Sequence, residues 1–382
     1  MASWVSRIPS VRDALGADTQ EMGVLIFGIA AGSIVGLLLS SHLIARFGAR
    51  RSVAAVLVLG GIGYSVAGIG VTVNPSFQLA FIGLVVFGAC FSVCDVSMNV
   101  IGAANERVIG RAIMPIYHAF FSFGTMIGAG LGALAEHTHL PIAIHTGVIA
   151  LLFVFGGLLA MYLCQSEDVV RNNAESEPGA HAVDGWRGRL AIWKDPRTIL
   201  IGLIVLGMAF SEGSANDWLT LATVDGHGTD KATGAVVFGV FVTAMTTARL
   251  AGVRLLDRFG RVPVLRNSAA LAALGLLMFI FVPVLWIAII GVVFWGFGSA
   301  LGFPVGMSAA ADDPGTAAAR VSAVATIGYF AFLIGPPVIG FLGQHFGILY
   351  GLLVVLILVA VAGIVSSAAR PAAATSAPTS HS

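Results

Sequence analysis

A few polar residues interrupt long apolar stretches of this sequence, and two of them are carboxylic acids that could exchange a proton or bind a polar solute. Ser92, Asp95 and Asn99 are spaced i, i+3 and i+7, so they lie on one face of a helix. A charged side chain at the centre of a bilayer costs about 3 kcal/mol or more, so it needs a reason. We predict that Asp95 and Asn99 form a protonation or ligand-binding site; the alternative is a polar contact that only joins two helices.

Glu212 is the second such acid. Glu212 and Asn216 are spaced i, i+4 in one apolar stretch, with Gly213 between them. We predict that Glu212 carries a proton or, together with Asn216, contacts a solute. Asp217 and Trp218 follow, and because Trp is enriched at membrane interfaces, we expect these two to be structural residues near the outer surface.

Three further side chains are candidates for the same site or for its gate. His118 lies beside Tyr117, and an imidazole titrates near neutral pH, although a lone His within a membrane is more often a packing residue. Tyr329 is predicted one turn into a helix, where it can face a cavity. Arg249 lies three residues before Gly252, and we expect it to meet an acidic partner at the cytoplasmic gate or to extend to the interface.

These side chains must be held by helices that cross a membrane. The chain has 382 residues, of which 57% are hydrophobic and 10% charged, whereas soluble domains carry about 25% charged residues. A spanning helix needs about 20 mostly apolar residues. Eleven stretches meet this requirement: 21–44, 53–73, 77–100, 112–134, 141–164, 198–222, 233–256, 264–284, 286–308, 318–343 and 347–367. The sequence therefore predicts an all-α protein that crosses a membrane many times.

The longest polar segment, 165–197, divides these spans into two groups and is predicted to be a loop. We expect a first bundle at 1–164, a second bundle of six helices at 198–367, and a disordered tail at 368–382 that is rich in Ala, Pro, Ser and Thr. Sixteen of the 20 Lys and Arg residues fall in alternate loops that include the long one and the tail. By the positive-inside rule, we expect the long loop and the C-terminus to be cytoplasmic.

A repeated pattern relates the two groups of spans. From Trp4 to the tripeptide Arg-Phe-Gly at 46–48 is 42 positions, and from Trp218 to the same tripeptide at 258–260 is 40 positions. A full predicted helix precedes Trp218, whereas three residues precede Trp4. We therefore expect two six-helix bundles in a parent of twelve helices, with the first helix largely missing here and eleven full spans present.

The tripeptide belongs to a longer basic motif, which reads Arg-Phe-Gly-Ala-Arg-Arg at 46–51 and Asp-Arg-Phe-Gly-Arg at 257–261. Gly permits a tight turn, and the basic residues hold the loop on the cytoplasmic side. An Asp in this motif could pair with Arg and close that side, but Ala45 takes its place in the first half. We assign the cytoplasmic gate to Arg46, Gly48, Arg50, Arg51, Arg249, Asp257, Arg258, Gly260 and Arg261.

Two helical halves, a long loop between them and this repeated motif resemble the major facilitator superfamily of secondary transporters. A second string, which includes Asp95-Val-Ser-Met-Asn99, Glu106, Gly110-Arg111 and His118, is similar to the fucose permease-like branch and its uncharacterised bacterial members. That resemblance implies import of a sugar or another small polar solute, coupled to protons, by alternating access. It also implies a multi-pass protein of the bacterial inner membrane.

Other functional classes have less support. The sequence lacks a G-x-x-x-x-G-K-[ST] string, a Cys/His cluster and a hydrolytic constellation, so we expect no ATP-driven transport, no metal, no cofactor, no catalytic residues and no enzyme. A net charge of +1 gives no reason to expect a nucleic-acid partner. The expected partners are a small polar solute, protons and the lipid bilayer, and we expect a monomer. The alternatives are an exporter of a hydrophobic or cationic compound, a non-transporting receptor and an inactive fragment.

Overall fold

The structure, a computed structural model, describes residues 1–109, 114–163, 192–313 and 316–370. The described residues do not include positions 165–191 of the loop predicted at 165–197. They also do not include positions 371–382 of the tail predicted at 368–382. The side chain of His118 is also outside the described part, so the prediction for that residue stays a prediction.

The described residues are almost entirely helical, because a chain in lipid must satisfy its own N–H and C=O groups. The helices are α1 (Ala2–Val5), α2 (Ile8–Leu15), α3 (Thr19–Phe47), α4 (Ala49–Thr72), α5 (Phe77–Ile109), α6 (Met114–His137), α7 (Ile142–Leu163), α8 (Pro196–His227), α9 (Lys231–Phe259), α10 (Arg261–Phe281), α11 (Leu285–Ser299), α12 (Gly302–Ala310), α13 (Ala317–Phe346), α14 (Ile348–Gly351) and α15 (Leu353–Ile364), followed by a 3₁₀ turn at Val365–Ala369. Asp18, Asp195 and Asp230 cap α3, α8 and α9 with side-chain hydrogen bonds, which fixes where these helices begin.

Ten segments of the described chain are long and apolar enough to cross a membrane, where α11 with α12 counts as one segment and α14 with α15 as another. They coincide with ten of the eleven predicted spans. The remaining predicted span, 112–134, corresponds to α6. The prediction of an all-α protein with many membrane spans is therefore confirmed. Ahead of α3 lie the short helices α1 and α2, whose apolar side chains are buried.

We group the helices by their order in the chain into α1–α7 and α8–α15, which we call the N-terminal and the C-terminal bundle. Within the first, α5 packs against α3 and α4; within the second, α8 packs against α13 and α15. Between the bundles, α3 contacts α13 and α6 contacts α9. Trp218 of α8 is fully buried and its ring lies beside Gly340 of α13. Trp218 is therefore a packed structural residue that does not face lipid.

The repeated motif adopts the same conformation in both bundles. Gly48 between α3 and α4 has φ 81°, and Gly260 between α9 and α10 has φ 76°, a region that favours glycine because it has no Cβ. The Arg46 guanidinium lies 5.4 Å from the centre of the Phe47 ring, and that of Arg258 lies 5.2 Å from the Phe259 ring. The two halves thus share local geometry as well as sequence.

Small residues allow α3 and α5 to approach closely. A Cβ added at Gly32 would lie 2.1 Å from the Val85 carbonyl oxygen, and one added at Gly36 would lie 2.1 Å from the Ala89 carbonyl oxygen. These distances are too short for a methyl group, and the obstacle is backbone that cannot rotate away. In a membrane, where helices associate through packing, such contacts support the bundle.

We expect Gly32→Ala to lower the stability of the N-terminal bundle by about 1–3 kcal/mol, because the helices must separate to admit the methyl group. The measurement is the midpoint of thermal unfolding of the purified protein in detergent. Gly156→Ala on α7 is the matched control, since nothing lies within 4 Å of a Cβ at that position. Equal unfolding midpoints for the two variants would contradict the packing described above.

Contacts between the bundles gather at one end of the molecule. There the backbone N–H of Thr19 donates to the Gln344 side-chain oxygen (3.1 Å), and Gly23 packs on the Pro336 carbonyl. Toward the other end of the same two helices, Leu38 of α3 is 75% exposed and Tyr329 of α13 is 45% exposed. We call the first the closed end and the second, which carries the repeated Arg-Phe-Gly motif, the open end.

Candidate functional site

A carboxylate–guanidinium ion pair joins α8 to α9 near the middle of both helices. Nη2 of Arg249 donates to both carboxylate oxygens of Glu212, at 2.9 and 2.8 Å. The Glu212 and Arg249 side chains are 17% and 32% exposed. Charged side chains inside spanning helices almost always face the interior of a bundle or a cavity, and not lipid.

A broken helix supplies Arg249 with another partner. Pro304 has no N–H, so it cannot donate to the carbonyl of Ala300 four residues earlier. The chain breaks between α11 and α12 at this point, and Nε of Arg249 donates to the freed Ala300 carbonyl at 3.3 Å. Irregular backbone in a membrane is tolerated where it lines a cavity or meets a polar group. The break near Pro304 therefore frees a carbonyl that holds the Arg249 guanidinium.

The residue before Glu212 is fixed by a buried hydrogen-bond chain. The indole Nε1 of Trp295 donates to the Ser211 hydroxyl at 2.8 Å, and the Ser211 and Ser299 hydroxyls lie 2.8 Å apart. Since the Ser299 hydroxyl donates to the Trp295 carbonyl (2.9 Å), Ser211 is the donor to Ser299. This chain ties α8 to α11 and sets the direction in which Glu212 projects.

Asp95 and Tyr329 come from different bundles and meet across the open end. The Asp95 carboxylate is exposed and is close enough to the Tyr329 hydroxyl to act on it electrostatically. Asn99 donates its side-chain amide to the Asp95 backbone carbonyl at 2.9 Å, so that amide is engaged within its own helix. Asp95 and Tyr329 therefore act on each other electrostatically, while Asn99 lies one turn further along α5.

Asn216 and Gly213, on either side of the turn that follows Glu212, make fewer polar contacts than Glu212. Asn216 lies one turn beyond Glu212 and is half-buried, with no side-chain hydrogen bond to any described residue. Gly213 packs against the Phe332 ring of α13 and so lets α8 approach that helix. Among the described residues no group of three or more His, Cys, Asp or Glu side chains could hold a metal ion.

The acidic partner of the cytoplasmic motif differs from the one predicted. Asp257 is exposed and forms no ion pair with the residues that the structure describes. Asp312 takes that role: its carboxylate binds Arg261 at 2.6 Å and Arg197 at 3.0 Å. Asp312 follows the end of α12 and lies next to the first turns of α8 and α10. It therefore meets Arg197 at the start of α8 and Arg261 at the start of α10. Both contacts stay within the C-terminal bundle, so they brace that bundle and do not join it to the other.

Three other arginines of the predicted gate lie in two different places in the structure. Arg249, which we assigned to the cytoplasmic gate, pairs with Glu212 and so belongs to the central site. In the N-terminal bundle, Arg50 donates to the Tyr162 carbonyl at 3.4 Å. Arg50 and Arg51 line a surface pocket of about 330 Å³ with Tyr162. These contacts anchor the end of α4 to α7, next to the turn at Gly48.

Sequence reasoning missed two sets of charged residues. Arg7 and Glu136 form a buried ion pair in the N-terminal bundle, with both side chains 5% exposed. At the closed end, the N-terminal bundle meets the C-terminal bundle through ion pairs of Arg12 and Asp13 with Asp225 and Lys231. Each of these residues lies outside the predicted spans, in positions that resemble loops, so the sequence held no direct signal of their burial or pairing.

A separate cavity of about 520 Å³ lies between α6 and α9, next to α11. Its walls are mostly apolar and include Met126, Val240 and Phe297. The hydroxyls of Thr243 and Thr247, which also line it, donate to carbonyls of their own helix at 2.8 Å. The cavity therefore offers few polar groups to a solute, and the charged pair of Glu212 and Arg249 is not part of its lining.

Two bundles with the same internal turn, packed together at one end and carrying charged groups at mid-membrane, define a membrane transport protein. A family model described as the Major Facilitator Superfamily matches residues 4–331, and a second match covers residues 218–381. This chain belongs to the Major Facilitator Superfamily.

Bacterial relatives align over most of the chain. An uncharacterised MFS-type transporter of Yersinia pestis is 29% identical over 348 residues, covering 90% of this chain and 85% of the relative. An uncharacterised transporter of Sinorhizobium fredii is 30% identical over 346 residues, covering 90% and 87%. The membrane protein MosC of Rhizobium meliloti is 26% identical over 352 residues, covering 91% and 81%.

Solved structures share the fold at low sequence identity. A variant of the nucleoside transporter NupG has a TM-score of 0.76 at 14% identity, covering 96% of this chain and 94% of that one. A D-xylose–proton symporter has a TM-score of 0.69 at 14% identity, covering 96% and 94%. The E. coli fucose–proton symporter FucP has a TM-score of 0.60 at 14% identity, covering 97% and 96%. These likenesses establish the fold alone.

Proposed function

We propose that this chain is a secondary transporter that couples the uptake of a sugar or another small polar solute to protons by alternating access. The observation that carries the proposal is the partly exposed pair of Glu212 and Arg249 at mid-membrane. A carboxylate that loses its charge on protonation releases the guanidinium, which can then bind a hydroxyl-rich solute. The fold neighbours are a fucose–proton symporter, a D-xylose–proton symporter and a nucleoside transporter, and they support the same class of solute.

The geometry also supports a route for the solute. Substrates of such carriers bind near the midplane between the two bundles. Asp95 and Tyr329 lie on opposite bundles beside the open end, and Glu212 and Arg249 lie deeper. With the Arg-rich loops in the cytoplasm, the conformation seen here is closed to the outside and open to the inside. We propose a bacterial inner-membrane location and, since one chain holds both bundles, a functional monomer.

The test is solute-driven proton movement in proteoliposomes of the purified protein. L-fucose, D-xylose and a nucleoside would each be added to liposomes in weakly buffered medium while external pH is recorded. Uptake with protons makes the medium more alkaline, and an added protonophore abolishes accumulation of the labelled solute. Accumulation that is insensitive to the protonophore would exclude proton coupling. A failure of all three solutes to move would exclude these substrates.

We expect Asp95→Asn to raise the KM for uptake about tenfold, because a charged acceptor facing the solute is replaced by a neutral amide. Tyr329→Phe should have an effect in the same direction, since it removes the hydroxyl on the opposite bundle. The measurement is the initial rate of uptake against solute concentration.

Asn99→Ala is the matched control for Asp95→Asn. The Asn99 amide donates its hydrogen bond to the Asp95 backbone carbonyl and not to a solute. Loss of this amide should therefore change the KM by less than about twofold. If Asn99→Ala and Asp95→Asn changed the KM equally, the assignment of Asp95 as a solute contact would be wrong. The polar face of α5 would then only contact another helix.

A second candidate function has one observation in its favour. The apolar cavity of about 520 Å³ between α6 and α9 suits a hydrophobic compound better than a sugar. An exporter of such compounds would confer resistance on cells that express it. Resistance without any solute-driven proton movement would favour this function over uptake of a polar solute.

A further inference from the structure

The surface pocket at the open end of the N-terminal bundle combines positive charge with apolar walls. It has a volume of about 330 Å³ and lies between the start of α4 and the last turns of α7. The residues that line it are Arg50, Arg51, Ala54, Leu158, Met161 and Tyr162. No acidic residue is among these described lining residues, so the potential in the pocket is positive and favours an anion.

The two arginines of the pocket are placed differently. Arg50 is half-buried, and a nitrogen of its guanidinium donates to the Tyr162 backbone carbonyl at 3.4 Å, which ties α4 to α7. Arg51 is exposed and forms no ion pair with any residue that the structure describes. A guanidinium carries five N–H donors in a planar fork that matches the oxygens of a phosphate. Arg51 can therefore bind a phosphate group that enters the pocket.

The matching turn of the C-terminal bundle contains an anion of its own. Arg261 directly follows Gly260, and the Asp312 carboxylate binds it at 2.6 Å. In the N-terminal bundle, Arg51 follows Gly48 by three positions and meets no carboxylate of the described chain. An anion from outside the chain can thus take the place at the first turn that Asp312 takes at the second.

An apolar stripe leads from the pocket along the lipid-facing side of α7. This helix is the least buried of the ten segments that can cross a membrane. Leu151, Phe155, Leu158 and Tyr162 are spaced i, i+4, i+7 and i+11, so they lie on one face, and their exposures are 72%, 73%, 37% and 78%. At about 1.5 Å per residue the stripe is about 16 Å long, which is close to half of the hydrocarbon core of about 30 Å. Its length therefore matches the acyl chain of one leaflet.

We propose that this pocket binds an anionic phospholipid of the leaflet at the open end, with its phosphate on Arg50 and Arg51 and an acyl chain along the stripe. Tyr162 lies where the two parts meet, at the headgroup level that suits an amphipathic ring. Phosphatidylglycerol fits this site better than phosphatidylcholine, because a choline group carries a positive charge that the arginines repel. The proposal concerns the surrounding bilayer and does not depend on which solute is carried.

The test is a titration of the purified full chain in detergent, with bound ligand counted by native mass spectrometry. The three probes are phosphatidylglycerol, phosphatidylcholine with the same acyl chains, and glycerol 3-phosphate. We expect the apparent Kd for phosphatidylglycerol to be at least about tenfold lower than that for phosphatidylcholine. Equal affinities for the two lipids would overturn the proposal. Glycerol 3-phosphate binding as tightly as phosphatidylglycerol would also overturn it, since the site would then take a free phosphate.

Arg51→Gln is the decisive variant, because its side chain is exposed and its removal leaves the fold intact. One arginine near an anionic headgroup contributes about a fivefold change in affinity, so we expect the Kd for phosphatidylglycerol to rise about fivefold and that for phosphatidylcholine to stay within twofold. Arg46→Gln is the matched control: it removes the same charge beside the same turn, but Arg46 does not line the pocket. We expect it to change the Kd by less than about twofold. Equal effects of the two variants would mean that only the summed charge of the loop matters, and the pocket would be excluded as the site.

Ala54→Phe tests the pocket while keeping both arginines. Ala54 is half-buried in the lining, so a phenyl ring at this position occupies the space of the headgroup. We expect the Kd for phosphatidylglycerol to rise at least about tenfold, with the unfolding midpoint of the lipid-free protein measured alongside. An unchanged Kd in a folded Ala54→Phe variant would contradict the proposal. If this variant does not fold, the comparison of Arg51→Gln with Arg46→Gln still decides.

Discussion

Replacement of Glu212 by Gln is expected to reduce proton-driven accumulation of solute about 100-fold. Gln has nearly the same shape as Glu but no charge, so Arg249 loses both of its charged hydrogen bonds. Removing one partner of a buried ion pair costs about 3–5 kcal/mol, and we take about 2–3 kcal/mol here because both side chains are partly exposed. At about 1.36 kcal/mol per tenfold change, this corresponds to a factor of about 30–160.

A split between two assays distinguishes a role of Glu212 in proton coupling from a role in folding. Gln cannot exchange a proton, so accumulation against a gradient should be lost while exchange of solute at equal concentrations on both sides persists. A merely structural residue would impair both assays in parallel. The measurements are accumulation driven by a pH gradient and equilibrium exchange, in the same proteoliposomes. Equal losses in both assays would mean that Glu212 only stabilises the fold of the C-terminal bundle.

Arg249 variants provide the matched comparison on the partner helix. Arg249→Lys keeps the positive charge, but Lys has a single terminal nitrogen and cannot reach both the Glu212 carboxylate and the Ala300 carbonyl. We expect an intermediate loss of accumulation, about tenfold. Arg254→Gln, an exposed residue on the same helix, should leave accumulation unchanged. A loss in Arg254→Gln as large as in Arg249→Lys would mean that positive charge on α9 matters and the specific pair does not.

The central site could be anticipated because its residues interrupt apolar stretches. Asp95 and Glu212 each lie well inside a predicted span, where a carboxylate is costly, and the structure places both within helices that are long and apolar enough to cross a membrane. Their partners could not be anticipated. Glu212 pairs with Arg249, 37 positions away in the chain, and Asp95 acts electrostatically on Tyr329 of the other bundle. Sequence periodicity specifies a face of a helix but not the helix that it meets.

The same limit explains the error in the cytoplasmic motif. Asp257 lies beside Arg258 in the chain, so local sequence favoured it as the acidic partner. Arg261 instead meets Asp312, 51 positions away, because α10 and the end of α12 converge in the fold. Glu136 was overlooked for a related reason. It follows the end of the predicted span at 134, and only the packing of α6 against Arg7 shows that it is buried.

Reversal of a charge at the closed end is expected to shift the conformational equilibrium toward the outward-open state. Asp13 lies 2.6 Å from Lys231, and Arg12 pairs with Asp225 beside them. Exposed pairs contribute at most about 1 kcal/mol each, so loss of one alone is a small change. Lys231→Asp does more, because it places two carboxylates side by side. We expect the ratio of open to closed conformations to rise about tenfold. The measurement is the distance between spin labels at Asn74→Cys and Val284→Cys, both exposed, in a protein whose native cysteines are replaced by Ala.

The double variant Asp13→Lys with Lys231→Asp restores opposite charges and should return the ratio to within about twofold of the parent. If the single and the double variant opened equally, the contact would have no role as a gate. Raised salt should also favour the open state, since these groups are partly exposed to solvent and their attraction is screened.

The pH dependence of this contact follows from the surroundings of Asp13. Partial burial opposes ionisation of Asp13, but hydrogen bonds from Lys231 and Arg12 and their charges outweigh it and hold the Asp13 pKa below its usual value of 3.8. A carboxylate with a lowered pKa stabilises the closed state above its usual pKa and loses that contribution as pH falls through the lowered value. The contact therefore stays ionised between about pH 5 and pH 8. We expect Asp13→Asn to open the closed end equally at every pH in this interval, measured with the same spin labels at Asn74→Cys and Val284→Cys.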